Sequence, residues 1–420
     1  MIYWFLLFIW ASTALYYVIT YYKRPMGVFQ APFLFAIAAL VMDLSQFTSI
    51  IFNPYYKNNI LFALTVVMIS SFIAFAKGWE KALHKKLNSC YDLNIESTKL
   101  LMLILFLIGL YASYKNYGTW MNTLNDADRT KFLIYVNLSI FLDLAFFYSI
   151  SYIMSKKKFP ILIISIIIGA SFFYMSSIIL LARRSVLLKL MLSICMMICI
   201  IKPHMQNKVK IIVLLAFIIG NIASSSIADY RSSLSGQSNA NINYIENFKM
   251  SFMEKNVTVG MDLGNAAQAI EYCRIHNDYN YALTIWNNFI QLYVPRFLVG
   301  QSFKSSLMFK FEHEKYAQSL THGVTTLTGF YDSFSAFSFL GFIIFYILGY
   351  LLGRIWVKSK YSKLYLILYL ILLPNIPHLA SHGINYIIGK LELFWILLMP
   401  IFIIYIKRIK IKHTIYKSTI

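Results

Sequence analysis

The chain has 420 residues, 59% of them hydrophobic and only 13% charged. Soluble domains carry roughly 25% charged and 45–50% apolar residues, so this composition excludes an ordinary soluble protein and indicates a chain with many membrane spans. The formal net charge of +21 is spread over short loops and tails and not gathered on one face, which argues against a nucleic-acid partner.

A bilayer core of about 30 Å takes about 20 residues of helix. Apolar runs of that kind lie at 1–22, 28–52, 59–76, 98–114, 132–154, 159–182, 185–201, 209–228, 336–357, 364–383 and 391–406. They predict an all-α integral membrane protein with about eleven transmembrane helices. The first run lacks a basic leader and exceeds a signal-peptide core, so it is read as a span. The organisation is then 1–228 with eight helices, 229–335 as one large loop with short interfacial helices, and 336–420 with three helices and a tail. Structureless connections beyond about 15 residues are uncommon unless functional, which draws attention to that loop.

Basic residues set the orientation. Lys23, Arg24, "KGWEKALHKK", Lys156 to Lys158, "KPHMQNKVK", "RIWVKSKYSK" and "KRIKIK" all fall on one side. The loops and tail of that side hold 22 Lys/Arg, against 7 in the short loops opposite. The positive-inside rule makes the richer side cytoplasmic and places 229–335 outside. That loop is nearly neutral, with 8 Lys/Arg and 9 Asp/Glu. Of the four cysteines, Cys195 and Cys199 share an apolar helical run. Cys90 and Cys273 fall on opposite sides, so no disulfide is expected.

Several residues break the topological pattern. Arg183 and Arg184 in "LLARRSVLLKL" sit between two apolar spans on the outer side. A charge near the bilayer centre costs about 2.5–3.5 kcal/mol, so such residues line a cavity or else snorkel to headgroups. Lys189 follows within about one and a half helical turns and is placed to share the same cavity. Arg129 in "DADRT", Arg231 and Arg296 add three more arginines on the outer side. Guanidiniums bind phosphate bidentately and stay charged, so together they point to an anionic ligand.

In "LLPNIPHLASHGINY", Pro374 and Pro377 are expected to break the tenth helix, as is tolerated where backbone lines a protein cavity. His378 and His382 are four apart and share a helical face, suited to proton transfer or to a sugar hydrogen bond. As a metal site the pair lacks a third ligand. Asp43 and Asp143 are intramembrane carboxylates, which keeps a proton-coupled transporter open as an alternative. Within the loop, "NAAQAIEYCRIH" and "YALTIWNNFIQLYV" have helical apolar spacing, and the second is read as an interfacial helix. His322, Tyr331 and Asp332 approach the membrane just before the ninth span.

Four stretches together resemble the O-antigen (Wzy-type) oligosaccharide repeat-unit polymerases of bacterial inner membranes. They are the "YG…L…DADRT" stretch before a span, "LARRSVLL" at a span junction, "YALTIWNNFIQLYVPRFLVG" and "HGVTTLTGFYDSFSAFSFLG". The chain departs from that family at "VPRFLVGQSFKS", where many members carry a Trp and a Lys-Pro after the Pro-Arg pair. The resemblance implies a GT-C-like fold with the large loop periplasmic. It also implies metal-independent glycosyl transfer without a cofactor. Polyprenyl-pyrophosphate-linked oligosaccharide would serve as donor and acceptor, with membrane lipid around it and a chain-length regulator as a further partner. On that basis Arg183, Arg184 and Arg129 hold pyrophosphate, and Arg231, Arg296 and Tyr331 contact substrate. The general base is left open among Asp332, His322, His378 and His382. An O-antigen ligase, a lipid-linked oligosaccharide flippase and a membrane acyltransferase remain alternatives.

Overall fold

The computed structural model describes residues 2–52, 58–121, 135, 138–181, 184–219, 262–294, 296–320 and 327–410. Six helices are long and apolar enough to cross a membrane: Tyr3–Tyr22, Ala31–Phe52, Asn59–His84, Ile161–Ile178, Gly329–Ser359 and Asn385–Tyr405. Shorter apolar helices occupy Val186–Ile201 and Lys363–Asn375.

In chain order the first half comprises α1 (Ile2–Tyr22), α2 (Ala31–Phe52), α3 (Asn58–His84), strand β1 (Ser89–Leu93), α4 (Lys99–Met121), α5 (Ile140–Lys156), α6 (Ile161–Leu181) and α7 (Arg184–Ile201), followed by a helix over 206–219, α8. Helices α3 and α4 outrun their apolar cores at 59–76 and 98–114, because hydropathy marks the lipid boundary and not the end of the helix. In α3 the extra turns carry "KGWEKALH", and Lys81 and His84 in the last turn complement the helix dipole.

The second half holds α9 (Asp262–His276), α10 (Leu283–Tyr293), α11 (Glu312–Leu320), α12 (Gly329–Phe337), α13 (Phe342–Ser359), α14 (Lys363–Leu372), α15 (Asn385–Leu393) and strand β2 (Ile406–Lys410). Helix α13 lies along α3 at close range. A Cβ added to Gly349 would come within 2.1 Å of the Phe75 carbonyl oxygen, and one added to Gly353 within 2.7 Å of the Ala82 Cβ. Helices in lipid gain their contact from such small-residue faces, since apolar burial alone favours neither partner. Phe35, Phe72, Phe330 and Phe345 pack together beside this contact, with Phe35 and Phe345 stacked 5.4 Å apart and Phe72 edge-on to Phe330 at 6.0 Å.

One end of the bundle is tied by polar contacts. Arg24 meets Glu80 at 2.6 Å, Lys99 and Lys156 meet Glu96 at 2.5 and 3.4 Å, Lys363 meets Asp92 at 3.1 Å, and Arg354 donates to the Lys85 carbonyl at 2.6 Å. Strands β1 and β2 pair antiparallel at the same end, Ser89 opposite Lys410 and Leu93 opposite Ile406. The apolar runs did not forecast this ribbon, since 391–406 reads as a span and "IKRIK" as its basic tail. Every residue in these contacts comes from a segment that the basic-residue count assigns to one side.

The described residues of that expected loop pack at the other end, and α9 is part of the core there. Its Leu263, Ala266, Ala267, Ala269, Ile270 and Cys273 are buried, and it packs on α2, α3, α11 and α12. Short side chains let it enter the bundle, whereas the sequence pattern showed only that it is helical. Helix α10 instead presents an aromatic edge, with Trp286 stacked on Phe289 and Phe289 against Tyr293. The chain after it folds back through the Trp286 indole on the Leu307 carbonyl (3.0 Å) and a reciprocal Asn287–Phe309 pair (2.8 Å each). All four cysteines are buried and free.

Candidate functional site

The tenth apolar run is broken where its prolines predict. Helix α14 stops at Leu372, a tight turn holds Pro374, and Pro377 leads into a single helical turn, His378–Ser381. Gly383 then takes φ +105°, a conformation L side chains rarely adopt, and the chain re-enters helix as α15. Helix α12 docks on this break backbone to backbone. A Cβ at Gly329 would sit 2.4 Å from the Leu379 carbonyl oxygen, and one at Gly383 2.5 Å from Asp332 Oδ2. That Asp332 oxygen accepts the Ile384 amide at 2.8 Å. One oxygen of Asp332, a candidate base in the sequence, is therefore committed to holding the turn.

The break groups three rings. His378 and His382 lie 4.6 Å apart, and each is 5.2 Å from Tyr386. His382 Nδ1 is 2.7 Å from Ser381 Oγ. His378 is buried, and its Nδ1 has no hydrogen-bond partner among the described residues. One helical turn past Tyr386 comes Lys390, on which Asp143 and Lys189 both act electrostatically. Asp143 accepts two bonds from Lys189, at 2.7 and 2.8 Å, and a third from the Tyr174 hydroxyl at 2.5 Å. The Lys189 ammonium also sits 4.9 Å from the centre of the Tyr174 ring. Asp143 is thus a paired carboxylate, while Lys390 has no ion pair within 4.0 Å among the described residues. Two ammonium groups around one carboxylate leave surplus positive charge in a partly buried setting, which favours an anion.

The arginines fare differently. Arg184 opens α7, five residues before Lys189 in the same helix. Arg129, Arg183, Arg231 and His322 lie outside the described residues. Arg296 starts an exposed four-residue helix and bears on Lys304, with no described contact to the Asp143 cluster. The spacing of four that joins His378, His382, Tyr386 and Lys390 is visible in the sequence, and it marks the stripe that ends at the lysines.

A second polar group joins the loop to α12. His313 is fully buried, with Nδ1 3.0 Å from Asp278 Oδ2 and its backbone amide donating to the same oxygen at 2.8 Å. Its Nε2 lies 3.3 Å from the Asn280 side-chain amide, which also donates to Ser335 Oγ at 3.1 Å. An amide donor at Nε2 assigns the neutral ring with its proton on Nδ1. Burial agrees, holding His313 below its ordinary range against the opposing pull of Asp278. The next residue, Glu314, has a buried Oε1 without a hydrogen-bond partner among the described residues. Burial, with Asp278 close by, pushes its carboxyl up to about 7. Tyr331 is 4% exposed and its hydroxyl is likewise unpartnered.

Asp43 is buried in α2 with both carboxylate oxygens unpartnered among the described residues. Asp262 at the start of α9 acts on it, and Gln46 Oε1 accepts the Leu263 amide at 2.9 Å. No group of three His, Cys, Asp or Glu side chains among the described residues is placed to hold a metal ion. Comparison with protein-family models, with curated proteins and with solved structures gave no match.

Proposed function

We propose that the protein is a polymerase joining polyprenyl-pyrophosphate-linked oligosaccharide repeat units at the periplasmic face of a bacterial inner membrane. In this proposal it has about eleven transmembrane helices and a GT-C-like arrangement. The observation that carries it is the broken helix whose His378–His382–Tyr386–Lys390 stripe meets the Asp143–Lys189 pair with positive charge to spare. Aromatic and imidazole faces suit sugar rings, and ammonium groups suit pyrophosphate.

In such a transfer the acceptor hydroxyl attacks the anomeric carbon and the bond to pyrophosphate breaks. Negative charge grows on the departing oxygens. Lys390 of α15 and Lys189 of α7 are the groups that meet it. The Asp143–Tyr174 contact fixes the Lys189 ammonium, so little reorganisation is needed as the charge develops. The exposed aromatic edge of α10 fits a helix lying in the outer interface, where it shapes access for a lipid-linked sugar.

Lys390→Met tests this most directly, because Lys390 leaves no ion-pair partner stranded. The expected result is surface polysaccharide cut towards a single repeat, with transfer slowed about 10²–10³-fold, the usual loss for one charge-stabilising donor. Normal chain length at normal protein level would refute the role. Disruption of the gene separates the nearest alternatives: lipopolysaccharide capped by one repeat marks a polymerase, and lipopolysaccharide with none marks a ligase.

A second reading has one observation in its favour. The unpartnered carboxylate of Asp43 fits a proton-coupled flippase for the same lipid-linked repeat. Purified protein that polymerises the repeats in detergent, where there is no second compartment, excludes it.

A further inference from the structure

Two polar atoms near the outer end of the fold are buried without partners, and they belong to neighbours. Glu314 Oε1 and the Tyr331 hydroxyl have no hydrogen bond among the described residues; the ring of His313, the residue before Glu314, lies 6.3 Å from the Tyr331 ring, and the Glu314 charge bears on Tyr331. Buried polar groups are nearly always satisfied, so a pair left open calls for a ligand. A sugar hydroxyl is complementary to both: it donates to the carboxylate and accepts from the phenol. Asp278 and Asp332 also face this spot, so an anion is disfavoured and a neutral sugar fits. The charge contrast with Lys390 separates an acceptor end from a pyrophosphate end.

The surrounding structure holds the carboxylate in place. His313, one residue earlier, is clamped by Asp278 and Asn280, and Asn280 is tied to Ser335 of α12. Asp332 beside Tyr331 binds the Ile384 amide, which links this group to the stripe ending at Lys390. Neighbours fixed in this way hold a proton-transfer group in one position.

We propose that Glu314, Tyr331 and Asp332 form the acceptor site and that Glu314 removes the proton of the attacking hydroxyl. The proposal rests on the polymerase reading. As the new bond forms between the acceptor oxygen and the anomeric carbon, the hydroxyl proton passes to Glu314. The electron pair of the broken bond leaves on the pyrophosphate oxygen. Glu314 then returns its proton to water, and no other reactant is needed.

The test uses the full-length protein in detergent with lipid-linked repeat units extracted from its source strain. Three proteins are compared: wild type, Glu314→Gln and Glu314→Asp. The charged and titratable groups that bear on Glu314 are Asp278, and Tyr331 and Asp332 of α12; Cys273 of α9 and the His313 ring bear on Tyr331. Wild-type rates should rise with pH through about 7 and then level off. Glu314→Gln should fall at least about 100-fold and lose that dependence, with the donor KM within about twofold of wild type. Glu314→Asp should keep the pH limb at a reduced rate, and it carries the test if the glutamine variant fails to fold. Glu314→Gln within about threefold of wild type, with its pH limb intact, overturns the assignment and leaves the polymerase reading standing. Wild type that builds no polymer overturns that reading instead. The site is then judged by protection of Glu314 from a water-soluble carbodiimide, read by peptide mass spectrometry: protection by the lipid-linked repeat upholds it and its absence overturns it.

Discussion

Glu314 sits in "FEHEKYAQ", a stretch that reads as one turn of a solvated helix with an acidic and a basic face. Nothing in those letters says that a carboxylate oxygen is buried, or that Asp278, 36 positions earlier in the chain, and Tyr331 of α12 bear on it. His378, His382 and Asp332 were visible in the sequence because a histidine pair at helical spacing and an acid beside a span are unusual. An ordinary glutamate is not. The buried carboxylate has a consequence for stability that is separate from any reaction. With its carboxyl raised from 4.5 to about 7, the folded state binds the proton more tightly than the unfolded chain does. Stability from this group is therefore present at low pH, declines as pH rises from about 4.5 to about 7, and is absent above. Glu314→Gln should melt at a higher temperature than wild type at pH 8, and the difference should vanish near pH 4.5. The lowered His313 works in the opposite sense, costing stability as pH falls below its ordinary 6.5, so pH 8 is where the comparison is clean. A glutamine variant that melts below wild type at pH 8 would show that the carboxylate is satisfied after all.

Among the elements, the broken helix shows which features of a site sequence can announce. Pro374 and Pro377 forecast the interruption, because each removes a backbone donor and clashes with the preceding turn. The register of the break, and α12 as its partner, depend on contacts at long range. Two glycines in this region separate those effects. At Gly383 the positive φ and the 2.5 Å approach to Asp332 both exclude a side chain. Gly389, inside α15, has only Leu292 Cδ1 near, at 4.0 Å. Gly383→Ala should therefore destabilise by roughly 1–2 kcal/mol or more, from the left-handed backbone and displacement of the Asp332–Ile384 bond. Gly389→Ala should stabilise by about 0.5–1 kcal/mol, since alanine is the better helix former. Thermal unfolding in detergent checks both signs. Equal behaviour of the two variants would mean that α12 does not rest on the break. The β1–β2 ribbon was out of reach for a related reason. Five residues of alternation in "IKRIK" look like a basic tail until a partner 317 positions away supplies the other strand.

For the molecule as a whole, the apolar runs announced a helical membrane protein, and the tied end of the bundle bears on the expected order of its spans. Strands that pair must lie on the same side of a membrane, so the chain crosses it an even number of times between Leu93 and Ile406. The eight apolar runs between them satisfy that parity, and so do the Lys156–Glu96 and Lys363–Asp92 ion pairs. The positive-inside rule predicts that this end is cytoplasmic and that α10 and its neighbours lie outside. Because the four native cysteines are buried, single introduced thiols can report the sides with little background. A membrane-impermeant maleimide should label Gln301→Cys in intact spheroplasts and reach Lys158→Cys only after permeabilisation. A double variant, Tyr91→Cys with Arg408→Cys, joins the two residues that face each other in the ribbon. Directly opposed antiparallel positions have Cα atoms about 4.5–5.5 Å apart, within disulfide range, so mild oxidation should close the bond. Labelling of Gln301→Cys and Lys158→Cys from the same side would break the expected orientation, and with it the proposal that Lys390 and Glu314 lie on the outer side. Failure of the 91–408 bridge with the sides intact would remove the ribbon and leave that placement untouched.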